Sequence, residues 1–515
     1  MFLNEQYTMY QIAHQLVLNN HYEVLNFNEL DGEIWLEKYE NKTSSVVRLV
    51  HKGFDWKNRL KEDIARVFQR TKSLRHLLIG KNIEVHNVYI SSHAPVDDWE
   101  ILRKPMQLNE KKPIKMSVYY FSGNDFTKEK SRLYTNLGAL QVQTMDSLSE
   151  VDKEEKIDAY KSFLVNSKDA KKKEAESILS YGKPFFTYVL LLANILMFFV
   201  LESAGDSTSI ENLIEFGAKY NPAIIEGEWW RIISSMFLHI GFLHLFMNMM
   251  ALFYLGSMVE RIFGVSRFIF IYFMAGIGGG LASFAFTTSV SAGASGAIFG
   301  LFGALMLFGL MYKKIFFQTM GRGILVLIAV NIVFGFVVPQ IDNGAHLGGL
   351  ITGFIAAAIC FLPKKRDYKK QFLALIIYLS IICGLVAFGT FNNENSQSYQ
   401  LMKMEGLIKE EKYEDVVELA SAALDNSDKL DAPILFQRSY AYIELNQIDL
   451  AIEDLEKSIQ LDGSMPEAHY NLALLYYSEG KLNDAEKAIS QAYEMDPDRE
   501  EFTDLYEEIT GNNID

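Results

Sequence analysis

The sequence predicts a multi-domain chain: an N-terminal soluble α/β domain, an α-helical polytopic membrane bundle, and a C-terminal α-solenoid of helix-pair repeats. Three observations carry this reading. The 515 residues exceed what one compact domain holds. Apolar residues are concentrated between Pro184 and Phe391, in runs near the ~20 residues a bilayer-spanning helix needs. A pattern of small and aromatic residues then repeats with a 34-residue period near the C-terminus. The expected boundaries are 1–180 for the soluble domain, 181–363 for a six-span core, 364–391 for a seventh span and 392–515 for the repeats.

The first domain alternates helical and strand patterns. Tyr10, Ile12, Ala13, Leu16 and Val17 share a helical face. Strand-like runs follow from Glu33, Ser44, Glu84 and Lys115, with a helix expected from Lys57 to Leu78 between the second and third. A charged helix from Lys153 to Glu176 should lead toward the membrane. The opening MFLNEQYTMYQ has no basic segment followed by an apolar core, so it does not read as a cleaved signal peptide. His51, His76, His86, His93, Asp97 and Asp98 lack tight ligand spacing. They read as scattered residues, and no metal site is expected.

Seven apolar segments follow at roughly 184–202, 241–259, 267–288, 294–312, 322–339, 345–363 and 371–391. Basic residues set their orientation. Arg261 and Arg267 follow the second; Lys313, Lys314 and Arg322 follow the fourth; Lys364, Lys365, Arg366, Lys369 and Lys370 follow the sixth. On the opposite side, Lys219 and Arg231 in the first loop stand out against the trend. The positive-inside rule then puts the N-terminal domain in the cytoplasm and the tail outside.

With that orientation the second, fourth and sixth spans run inward, each with its polar residues in its first turns. His244 and Asn248, Ser295, and His346 should therefore share one depth near the outer leaflet. Intramembrane polar groups are costly, and their convergence points to function. A serine hydroxyl needs a base to become nucleophilic, so Ser295 with His346 is the minimum for acyl transfer. Gly296, Gly300 and Ala304 on one helix, and Gly349, Gly353 and Ala357 on the other, would let the two backbones approach closely. Metalloprotease H-E-x-x-H spacing is absent, and Asp206 and Asp342 lie in loops, outside any intramembrane aspartate pair. The soluble hydrolase elbow G-x-S-x-G fails because position 297 is alanine.

The tail, 392–515, opens with the polar linker NNENSQSYQ and holds 29 acidic against 9 basic residues. That excludes nucleic acid as its partner. Its clearest unit places His469, Leu472, Ala473, Tyr476, Gly480, Leu482, Ala485, Ile489, Ala492 and Pro497; the preceding unit has Leu435, Arg438, Ser439, Tyr442, Asn446, Ile448, Ala451, Leu455, Ser458 and Gly463. A looser copy spans 401–428. The pattern resembles tetratricopeptide repeats, which bind protein segments and seldom catalyse. The two cysteines, Cys360 and Cys383, both sit in apolar runs. No disulfide framework or thiolate metal cluster is available, and no cofactor is expected.

Trp230-Arg231, His244-x-x-x-Asn248, Gly256-x-x-x-Glu260-Arg261, Gly293-Ala294-Ser295-Gly296 and Ala345-His346-x-x-Gly349-x-x-x-Gly353 occur in that order. Together they resemble the rhomboid family of intramembrane serine proteases over about 180 residues, 184–363. The resemblance implies Ser295 as nucleophile and His346 as general base and acid, a dyad without an acidic third member. It implies that Phe299 is the ring packed on the histidine, and that His244 and Asn248 are oxyanion donors with the Ser295 N–H. Gly293, Gly296, Gly349 and Gly353 would give room for the backbone. Trp230 and Arg231 would be architectural at the lipid headgroups, and Glu260 with Arg261 a structural ion pair. The implied substrate is a transmembrane helix of another protein, cut near its outer boundary, in a bacterial plasma membrane. A non-catalytic membrane adaptor recruiting through the repeats and the N-terminal domain is the alternative; the presence of both Ser295 and His346 weighs against it.

Overall fold

The computed structural model describes residues 2–511 apart from 76–77, 79, 110–111, 140–147, 339–340, 364, 395 and 426–429. His76, Lys364, position 339 at the end of the fifth apolar run and the last residues of the first repeat copy lie outside the described residues. The chain divides into two compact units. One comprises Met1–Tyr181 with Met311–Arg322; the other comprises Gly182–Leu310 with Gly323–Asp515.

In the first unit a six-stranded sheet has the order β1-β2-β3-β4-β6-β5. Its strands are β1 (Glu23–Asn28), β2 (Glu33–Glu40), β3 (Thr43–His51), β4 (Asn82–Ile90), β5 (Met106–Leu108) and β6 (Ile114–Phe121). β1, β2 and β3 form an antiparallel meander, β3, β4 and β6 run parallel, and β5 closes the edge antiparallel. Helices cover both faces, as a sheet with parallel strands requires. Ile12 and Leu16 of the opening helix and Leu164 of the helix Glu150–Leu179 pack over Val47, Leu49, Val88 and Tyr119. Leu60, Ile64 and Val67 from Lys57–Leu74 cover Val46, Val50, Val85 and Val118 on the other side. β1 and β5 were not legible in the sequence, being short or only half-buried.

The described histidines of this unit have separate partners. His51 bonds Glu5, His86 bonds Tyr119 and His93 bonds Asp55, while Asp97 and Asp98 accept backbone N–H groups of Lys57 and Glu100. Among the described residues no cluster has metal-binding spacing. The short helix Lys313–Thr319 belongs to this unit, with Lys314 Nζ 2.7 Å from Glu23 and 2.9 Å from Glu37.

All seven apolar runs are helical over their described residues: Phe186–Ala204, Gly241–Phe263, Val265–Phe286, Ser295–Met311, Gly321–Val337, Asn343–Cys360 and Tyr368–Glu394. Five are long and apolar enough alone to cross a bilayer, among the described residues. Ser295–Met311 is one turn short at 17 residues. The second span holds a π-helical turn, Leu252–Gly256.

The solenoid packs helix pairs Gln397–Lys409/Tyr413–Leu424, Asp431–Glu444/Ile448–Leu461 and Pro466–Ser478/Leu482–Met495, then Glu500–Thr510. Small residues at the crossings, Ala451, Ala468, Ala473 and Ala492, are buried among Leu455, Leu472 and Ile489. The expected linker is corrected here. The seventh span continues through Asn392 and Asn393, and the next helix starts at Gln397 with Ser396 as its cap. Asparagine and serine at these positions serve as hydrogen-bonding and capping residues, which composition alone does not separate from a flexible tether.

Candidate active site

Glycine determines where the fourth span begins. Gly293 has φ +146°, and a Cβ there would lie 2.8 Å from the His244 ring. Only glycine tolerates both the backbone angle and the ring beside it. The segment is fastened by Gly293 N–H to the Ser235 carbonyl at 2.9 Å, and helix begins at Ser295.

The third, fourth and sixth spans meet through glycines. A Cβ at Gly349 would lie 1.9 Å from the Gly296 carbonyl oxygen, and one at Gly353 would lie 2.2 Å from Gly300 Cα. A Cβ at Gly279, on the third span, would lie 2.7 Å from Ala345 O. Side chains are excluded at these crossings, so the backbones themselves touch. The residues flanking the pair in sequence are in contact: a Cβ at Gly296 would be 3.3 Å from Ala345 O.

His346 stacks on Phe299, with ring centroids 4.0 Å apart and planes 13° apart. Its Nδ1 is buried with no hydrogen-bond partner among the described residues. The ring is thus oriented by a phenyl face rather than by a carboxylate. His244 lies edge-on to His239, centroids 5.4 Å apart. Asn248 is buried, and its Nδ2 donates to the His244 carbonyl at 3.1 Å. One amide proton of Asn248 is therefore used within its own helix, leaving the other for a neighbour. A small cavity of about 20 Å³ touches Gly293, Gly296, Ser235, Ser283 and Ala345, room for about one water.

Trp230 is half exposed and Arg231 is buried beneath it, 4.9 Å from its ring. Arg231 donates to Glu228 at 2.5 Å and to the carbonyls of Ile214 and Ala218 at 2.6 and 3.3 Å. It ties up the first loop and offers no free charge, which explains its departure from the charge bias.

The Glu260–Arg261 ion pair is corrected. Glu260 is fully buried and accepts from the backbone N–H groups of Phe185, Phe186 and Thr187 at 2.8–2.9 Å and from the Thr187 hydroxyl at 2.6 Å. Arg261 is exposed. Neighbours on a helix point about 100° apart, so adjacency in sequence does not make a pair. Glu260 instead caps the first span, where unpaired N–H groups and the helix dipole favour an anion.

Three polar residues were given no role from the sequence: Lys219 stood out only as a charge, Asp342 only as a loop residue, and His239 was not singled out. Asp342 caps the sixth span, accepting from Ala345 N at 2.9 Å and from the Ser283 hydroxyl. Lys219 is buried beside the segment 287–291. His239 Nε2 accepts from Ala294 N at 3.5 Å. An Asp three residues ahead of Ala345 was a readable cap signal. A lysine on the loop where basic residues are scarce was a second.

Comparison with known proteins gives the family. A rhomboid domain model matches residues 226–363. "Rhomboid protease GluP" of Bacillus subtilis (strain 168) is 37% identical over 480 residues, 92% of this chain and 92% of its own length. The chain belongs to the rhomboid family of intramembrane serine proteases. This rhomboid also resembles RHOMBOID-like protein 5 of Arabidopsis thaliana, 40% identical over 167 residues, 31% of this chain and 53% of that protein. RHOMBOID-like protein 2 of the same plant is 39% identical over 171 residues, 32% of this chain and 53% of that protein. Tetratricopeptide models match 440–480 and 466–499. The rhomboid is therefore a multi-pass membrane protease with a helical repeat tail.

Proposed function

We propose that Ser295 is the nucleophile and His346 its general base, cleaving transmembrane helices of other membrane proteins near their outer boundary. The observation carrying this is the Phe299–His346 stack, on a helix whose Ala345 touches Gly296. Ser295 attacks the scissile carbonyl as His346 takes its proton. The same imidazole then returns that proton to the leaving amine. The Ser295 N–H, His244 and the spare amide proton of Asn248 stabilise the oxyanion; each such donor is worth roughly 3 kcal/mol. Water for deacylation enters from the outer side, where the polar first turns of the spans gather. Helical carbonyls are protected by their own hydrogen bonds, so segments loosened by Gly or Pro are preferred substrates.

The regions divide the labour. Residues 1–180 form a cytoplasmic docking module, 181–363 the protease core, 364–391 a seventh span, and 392–515 an external solenoid holding a protein ligand. The membrane is a bacterial plasma membrane, consistent with the basic residues after the even spans. The purified chain in liposomes, given a single-span peptide with a Gly-Ala pair near one end, tests the reading. Wild type should cut it and Ser295→Ala should not. Equal cleavage by both overturns the assignment.

A further inference from the structure

Lys219 lies in the loop between the first and second spans and is 1% exposed. Its Nζ donates to the carbonyls of Thr287 and Ser289, both at 2.8 Å. Its main chain pairs in both directions with Ser291, at 2.9 and 3.1 Å. One residue thus holds the whole stretch 287–291, by side chain and by backbone, just ahead of Gly293 and Ser295.

Burying an ammonium is costly before its partners compensate. A neutral side chain would fill the same space without that cost, so the charge needs a reason. Two carbonyls accept hydrogen bonds from it, and the facing anion is Asp342. Burial pulls the Lys219 pKa down to about 8, and Asp342 acts the other way, so the amine is mostly protonated at neutral pH.

Asp342 starts the helix that carries His346. One oxygen accepts from Ala345 N, the Ser283 hydroxyl donates to the other, and the Asp342 carbonyl accepts from His346 N at 3.1 Å. Thr287 stands between the two charges. Its carbonyl receives Lys219 and the Asn221 amide (3.0 Å), and its hydroxyl lies 3.5 Å from Asp342 Oδ1. The end of the third span is thereby bonded to the segment leading into Ser295 and to the cap below His346.

We propose that Lys219 and Asp342 are positioning residues, a buried ammonium and a half-buried carboxylate joined through Thr287 that fix the Ser295 segment against the His346 helix. This rests on Ser295 and His346 being the reacting pair. Neither charge touches substrate; both act by setting the distance between two groups that must meet. A displacement of about 1 Å between reacting groups costs about 10²-fold in rate, so the effect belongs in kcat.

The test uses the full chain in liposomes, the quenched-fluorophore version of the single-span peptide, and a fluorophosphonate that labels activated serines. Wild type and Ser295→Ala are run first. If both cleave equally, the reading of Ser295 has failed, whatever the Lys219 variants do. If only wild type cleaves, Lys219→Met should lower kcat by about ten- to a hundredfold, leave KM within about twofold and slow labelling in parallel. A kcat within twofold of wild type, or a loss confined to KM, overturns the proposal. If Lys219→Met does not fold, as judged by its melting, Asp342→Asn decides. Asparagine still caps a helix but carries no charge. Its kcat and labelling rate should fall about tenfold at unchanged KM, and wild-type values for both overturn the proposal.

Discussion

Gly349 lies so close to Gly296 that a methyl group added to it would sit 1.9 Å from the Gly296 carbonyl oxygen. The nearest atom is backbone, so no side chain can rotate away. Gly349→Ala must push the fourth and sixth spans apart or fail to fold. Overpacking of this kind costs about 1–3 kcal/mol or more. Melting in detergent should drop, and cleavage should be lost even in the fraction that remains folded, since His346 moves with the helix. Gly323, with open space around its Cβ position, is the control; Gly323→Ala should leave both unchanged.

Phe299 acts on His346 through its ring face alone. Phe299→Leu keeps the site apolar but removes the stack, freeing the imidazole to tilt. The expected result is a fall in kcat of about tenfold or more from lost orientation, with little change in melting. Phe299→Tyr retains the ring and should recover most of the rate. Steady-state cleavage of the single-span peptide reads both.

Glu260 accepts four hydrogen bonds around the start of the first span. Glu260→Gln turns one accepting oxygen into an NH₂ facing N–H groups. The loss should be about 3 kcal/mol, the cost of leaving buried donors unpaired near a charged acceptor. Arg261→Gln, at an exposed position, should cost less than about 0.5 kcal/mol. Unfolding in detergent by increasing denaturant separates them, and an equal effect of both would restore the ion-pair reading.

His86 gives the N-terminal unit a pH dependence. It is 4% exposed on β4, with Nδ1 3.1 Å from the Tyr119 hydroxyl. Burial, aided by the nearby Lys115 charge, lowers its pKa to about 4. The unfolded chain therefore takes up this proton first as pH falls. Stability should be full above the ordinary histidine range, decline from about pH 6.5 to 4 and level off below, for a loss of about 3 kcal/mol. His86→Phe should flatten that part of the curve. Thermal unfolding of the unit, followed through Trp35 and Trp99 fluorescence between pH 7.5 and 4.5, checks it.

Much of this organisation was legible in the sequence. Span positions and the 34-residue repeat follow from one-dimensional patterns of apolar and small residues. His244, Asn248, Ser295 and His346 could be read as one expected site because they lie in the early turns of spans with the same expected direction. What escaped was set by partners distant in sequence. Lys219 looked like a stray charge because Thr287 and Ser289 are 68 and 70 residues away. Asp342 looked like loop although its cap signal was readable; its second partner, Ser283, is 59 residues away. Glu260 was given the wrong partner because its true ones belong to the start of the first span. The short strands β1 and β5 carry too few alternating residues to declare themselves.

The pairing of Ser295 with His346 is tested most directly by mapping the adduct of a fluorophosphonate on the purified chain by peptide mass spectrometry. The adduct should fall on Ser295 in wild type and be lost in His346→Ala, which leaves the hydroxyl but removes its base. Modification of another serine, or undiminished labelling of Ser295 in His346→Ala, would contradict it.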